Sequence, residues 1–189
     1  MIVFLDFEAS SLGKRGFPVE VGWVAEDGSE ESHLIRPAPD WDDWSEEAEG
    51  IHGLSRERLE REGEPHDAVA RRMVTVLTGH ALYASAPSWD GQWLSRLLRA
   101  AGLPRHALRL RDTEEAQREA VLAVLAEAGV PAEQRAGLAH GILSAALAEA
   151  EGEGPPAHRA LADAKQELER WRELRRRAAG AAAQALGGR

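Results

Sequence analysis

Two carboxylates interrupt the most apolar stretch of the chain. In Ile2-Val3-Phe4-Leu5-Asp6-Phe7-Glu8 the two acids are separated by one residue, and in a strand that spacing projects both side chains from one face. Ionised carboxylates held together at a buried strand end repel each other and lose hydration. A hard divalent cation such as Mg²⁺ or Mn²⁺, which prefers oxygen ligands, offsets both costs. An early strand end with a solvated Glu8 would also explain the pair, so its meaning depends on partners elsewhere.

His158-Arg159-Ala160-Leu161-Ala162-Asp163 supplies a candidate partner, following a Gly/Pro-rich stretch. Five helical residues turn through about 500°, which would leave His158 and Asp163 roughly 140° apart if both were helical. His158 is therefore expected in the loop or first turn, swinging over the site, with Asp163 fixed on the helix. An imidazole beside a metal carboxylate is suited to deprotonating water. A third stretch, Tyr83 to Leu94 (YASAPSWDGQWL), places Asp90 at the start of a helix after a strand. Asp is a preferred N-cap, and capping alone would account for it.

Elements must bring these segments together. The patterns predict strands at 2–7, 19–25 and 31–36, the last two joined by a hairpin turn at Asp27-Gly28. Residues 38–50 read as an acidic loop whose Trp41 and Trp44 could form an exposed interaction patch. A short capped helix follows from Ser55 to Glu60, then a helix at 66–78, a strand at 81–85, a helix at 90–101 and a short strand at 107–111. Helices are expected at 113–128 and 132–150, a flexible loop at 151–156 and a last helix from His158 to Arg177. Strands followed by alternating helices and strands argue for an α/β fold with a mixed sheet, helices on its faces and the first strand central. The domain is expected over 1–178, with a low-complexity tail at 179–189.

At 189 residues the chain can bury a core as one domain. It has no cysteine, which excludes disulfide and zinc-thiolate chemistry. Its formal net charge of −9 excludes broad electrostatic binding of nucleic acid. Contact with a polyanion must be local or mediated by cations. The basic cluster Arg170, Arg172, Arg175, Arg176 and Arg177 could guide a strand, or form a salt-bridged helix end. With no basic n-region and no membrane-length apolar span, a cytoplasmic protein is expected.

Together these residues resemble the DEDDh family of 3′→5′ exonucleases, which includes the proofreading subunits of bacterial replicative polymerases, RNase T and oligoribonuclease. The motifs run in order: Asp6-x-Glu8, Asp90, then His158-x4-Asp163. Residues 18–24 (PVEVGWV) resemble the family's second strand with its Glu-x-Gly; Gly50-Ile51-His52-Gly53-Leu54-Ser55 and Trp89-Asp90-x-x-Trp93-Leu94 resemble further segments. Thr often follows the Glu in that family, and Asn often lies four residues before the middle Asp; this chain has Ala9-Ser10 and Ala86.

The resemblance implies an RNase H-like fold and a pair of Mg²⁺ or Mn²⁺ ions held by Asp6, Glu8, Asp90 and Asp163, with Asp6 bridging and His158 as general base. It implies release of nucleoside 5′-monophosphates from single-stranded DNA or RNA 3′ ends. Phe7, Ala9 and Ser10 would grip the terminal nucleotide, Ile51 and His52 would contact it, and Trp89, with Trp93, would stack on a base. A DNA polymerase or a second copy of the chain would be the protein partner. Different expectations are a catalytically weak nucleic-acid-binding or polymerase-associated module of the same fold, and an unrelated metal-dependent phosphatase.

Overall fold

A computed structural model describes residues 1–150 and 158–187; the loop expected at 151–156 lies outside the described residues. The chain divides into two compact units, Met1–Asp112 with Ala157–Gln166, and Thr113–Pro156 with Glu167–Arg189.

Among the described residues the first unit holds a six-stranded mixed sheet in the order β4-β3-β2-β1-β5-β6. Strand β1 (Ile2–Ala9) is central, antiparallel to β2 (Pro18–Ala25) and parallel to β5 (Ala81–Ala84). Strand β3 (Glu30–Arg36) returns from β2 through the predicted hairpin. Gly28 sits there at φ 90°, and the Asp27 carboxylate accepts the Ser29 N–H at 2.9 Å, as Asx turns do. Short strands β4 (Glu64–Pro65) and β6 (Leu110–Asp112) close the two edges.

Alternation along β1 and β2 separates two faces. Val3, Leu5, Phe7, Val19, Val21 and Trp23 enter the core with Val69 and Met73 of α3 (His66–Leu77) and Trp93, Leu94 and Leu97 of α4 (Pro87–Ala100). The opposite face carries Asp6 and Glu8, directly across from Gly22 and Glu20 of β2. A sheet that buries one face in aliphatic packing thus offers its acids on the other.

Three sequence expectations change. The 38–50 segment is not all loop: Ser45 caps helix α1 (Glu46–His52) by accepting the Ala48 N–H, and Glu46, Glu47 and Glu49 favour its positive N-terminal end. Trp41 and Trp44 form no exposed patch. Trp41 is 2% exposed and stacks on Phe17 with centroids 5.1 Å apart, and the Trp44 Nε1 donates to Glu49 at 2.8 Å. Helix α4 begins at Pro87 with Ala86 as N-cap, so Asp90 lies a turn inside it and is not the N-cap. Ser55 does cap the short helix α2 (Arg56–Glu62), accepting from the Arg58 N–H.

The second unit comprises α5 (Thr113–Glu127), α6 (Ala132–Ala150) and most of α7 (Ala160–Gly187), whose first turns belong to the first unit. Its core joins Val121, Leu125, Val130 and Ala139 to Leu174, Ala178 and Ala182. Burial of Ala178 and Ala182 explains why the expected tail stays helical past Arg177 to Gly187, since alanine has the highest helix propensity. Arg170, Arg172 and Arg176 pair with Glu167, Glu169 and Glu173, and Arg177 bridges Glu173 and Glu149; Arg175 lies over the Trp171 ring at 4.6 Å, so the cluster is largely salt-bridged but sits within the helix and not at its end. No described helix is long and apolar enough to cross a membrane.

Trp41→Ala should destabilise the protein by about 3–5 kcal/mol, the range for emptying a buried aromatic site. Urea unfolding measures it; a loss under about 1 kcal/mol would place Trp41 at the surface.

Candidate active site

The carboxyl ends of β1 and β5 and the start of α7 meet at one place in the first unit. Ligand atoms of Glu8, His158 and Asp163 all lie within 4.8 Å of one another. Glu8 comes from β1, Asp163 from the first turn of α7, and His158 from the residues just before that helix. His158 adopts φ 50°, unusual for a residue other than glycine. The loop placement expected from the His158 to Asp163 spacing is therefore the observed one.

Topology brings in Asp90. Strand β5 ends at Ala84, and its pairing with β1 reaches only Phe4 opposite Tyr83. The backbone at Phe7 runs on past its parallel neighbour and hydrogen-bonds the Asp90 carboxylate, as does the backbone at Ala86. Asp90 is 1% exposed, and its Oδ2 is buried with no hydrogen-bond partner among the described residues. Asp6 lies on the same strand face as Glu8, with Gly22 opposite; it stands outside the group of three.

The electrostatics are those of crowded acids. Glu8 is raised to about 7, first by burial, then by Asp163 and Glu20, with Arg159 opposing and Asp90 adding to the rise. Burial likewise pushes Asp90 up to about 7, against the lowering effect of its backbone hydrogen bonds. A partly desolvated carboxylate cluster with a buried, unpartnered Asp90 oxygen nearby fits a hard divalent cation in donor type and charge. Glu8, Asp163 and His158 are the residues placed to hold or flank one, with Asp6 and Asp90 adjoining.

The expected substrate contacts are placed unevenly. Trp89 is 38% exposed and stacks on Trp93 at 6.0 Å between centroids, and Ile51 is 53% exposed. Trp93 is a core residue. Phe7 and Ala9 point into the core, which leaves their backbone for contact. The buried Ser10 hydroxyl accepts the Phe17 N–H at 3.0 Å, a loop-closing task. His52 is 5% exposed, its Nδ1 accepts the Leu54 N–H, and burial lowers its pKa.

The sequence marked Glu20 only as part of a Glu-x-Gly pattern and gave neither it nor Arg159 a role. Glu20 is 1% exposed yet hydrogen-bonds both the Arg159 guanidinium and the Ala160 N–H. The signal was a charged residue in the middle of an apolar strand, which requires a buried partner.

Solved structures share this fold. Exonuclease I, in a structure that addresses its processivity, superposes with a TM-score of 0.61 at 18% identity over 89% of this chain and 39% of its own. The metal-free form of the E. coli exonuclease I complex with single-stranded DNA gives 0.52 at 17% identity, over 64% of this chain and 30% of its own. The zinc-bound form of that complex gives the same values, 0.52, 17%, 64% and 30%. This chain therefore spans well under half the length of these proteins. No family model and no curated protein sequence matches it.

With a chelator present, Asp90→Asn should gain stability relative to the wild type as pH rises from 4 to 8. A raised carboxylate pKa means that the folded chain holds its proton while the unfolded chain releases it near the ordinary value of 3.8. Stability is lost as pH climbs from there to about 7, by roughly 4 kcal/mol. Urea midpoints across that range measure the difference; a difference independent of pH would mean that Asp90 ionises freely.

Proposed function

We propose that the chain is a metal-dependent 3′→5′ exonuclease that hydrolyses single-stranded nucleic acid and releases nucleoside 5′-monophosphates. The observation that carries this reading is the convergence of Glu8, His158 and Asp163 beside the buried Asp90, on a fold shared with exonuclease I. The single-stranded DNA bound in exonuclease I structures supports DNA as the polymer.

Asp6, Glu8, Asp90 and Asp163 would hold two divalent cations, Mg²⁺ or Mn²⁺. When bound, such ions neutralise phosphoryl oxygens and make water more acidic. His158, just ahead of α7, takes the proton of the attacking water on an imidazole nitrogen. Water adds to phosphorus opposite the 3′ oxygen of the penultimate nucleotide, and the bond to that oxygen breaks. Trp89 offers an exposed indole for base stacking, and Ile51 an exposed apolar side chain, for recognition of the last nucleotide. Phe7 and Ala9 contribute backbone.

Incubating 5′-labelled single-stranded DNA with the protein and Mn²⁺ should give a ladder shortening from the 3′ end. His158→Ala should lower kcat about 10²- to 10⁴-fold with little change in KM. Internal cuts, or full activity in the variant, would overturn the reading.

A further inference from the structure

Glu20 has no task in this chemistry, yet it lies buried in β2 and takes three hydrogen bonds from the start of α7. Arg159 donates from Nε at 3.0 Å and from a terminal guanidinium nitrogen at 2.7 Å, and the Ala160 backbone N–H donates at 3.1 Å. That amide is one of those a helix leaves unsatisfied at its N-terminus, where a negative charge is also favoured by the helix dipole. Arg159 directly follows His158, and its carbonyl accepts the Asp163 N–H at 3.0 Å. Both site residues supplied by this segment thus hang from the residue that Glu20 grips.

Gly22, on the same strand face, makes a second and independent contact with the helix start. A Cβ there would stand 2.2 Å from the Leu161 nitrogen, 2.4 Å from its Cα and 2.7 Å from the Ala160 carbonyl carbon. All three are backbone atoms, which cannot swing aside. The first turn of α7 is therefore seated on bare backbone at Gly22 and tied by charge at Glu20.

We infer that Glu20, with Arg159 and Gly22, is a positioning element that sets where His158 and Asp163 stand relative to Glu8. The inference rests on the reading of this cluster as a hydrolytic centre. A buried ion pair adds little net stability, whereas groups that orient the ligands of a metal site commonly matter 10- to 100-fold in affinity or activity. Glu20 touches none of the reacting atoms; it acts through Arg159 and Ala160. Strain at His158, held at φ 50°, is what such a tie would sustain.

The test measures kcat and KM on labelled single-stranded DNA and, separately, the rise in melting temperature on adding Mn²⁺. Glu20→Gln, Arg159→Ala and Gly22→Ala should each lower kcat about 10- to 100-fold, leave KM within about threefold and reduce the Mn²⁺ shift. Arg159→Lys, which keeps one charged donor, should recover part of both losses. Gly22→Ala leaves every acid and His158 in place, so its loss cannot come from missing charge. A Glu20→Gln protein with unchanged kcat and unchanged Mn²⁺ shift would overturn the inference. So would losses that only follow the fraction folded by circular dichroism. A wild type that binds Mn²⁺ but shortens no strand would overturn the exonuclease reading alone, and the Mn²⁺ shifts of the variants would then decide the positioning role.

Discussion

Carboxylates that share a buried space must bind either protons or a cation. Burial raises Glu8 and Asp90 to about 7 each, with Asp163 and Glu20 adding to the rise at Glu8. Arg159 moderates Glu8, but its guanidinium is already engaged by Glu20. A phosphodiester, were one the substrate, would bring further negative charge, and a bound cation would offset that charge as well as the repulsion among the acids. The site follows from one arrangement, in which a central strand carries acids past the end of its parallel neighbour.

The scaffold divides its work by face. One side of β1 and β2 is packed against α3 and α4 with aliphatic and aromatic side chains, and tolerates no charge. The other receives the start of α7 at Gly22 and Glu20. Glu8, Asp90 and Asp163 therefore stand on strand or helix backbone, which holds geometry more tightly than a loop. Among these four, His158 alone stands outside strand and helix, two residues before the start of α7.

Much of this was legible in the sequence. The alternation in IVFLDFEA, the Asp27-Gly28 hairpin and the His158 to Asp163 spacing each encode a local geometry that the fold keeps. Other features depended on contacts that no periodicity records. The helix Glu46–His52 is too short and too acidic to show an apolar face, and is held by the Ser45 cap. Trp41 lies among acids in sequence but against Phe17 in space. Asp90 reads as an N-cap until Pro87 is seen to open the helix one turn earlier. The alanine-rich end reads as low complexity, because the burial of Ala178 and Ala182 is a tertiary property. Glu20 was visible as a charge within an apolar strand, but its partner lies 139 residues away.

The acids of this site are proposed to form a cage for divalent cations. Anomalous diffraction from crystals grown with Mn²⁺ tests it directly. An anomalous peak is expected at about 2.2 Å from carboxylate oxygens of Glu8 and Asp163, the distance for a small divalent ion on oxygen. Well-ordered acids with no peak between them, or carboxylates turned to separate protein partners, would contradict it.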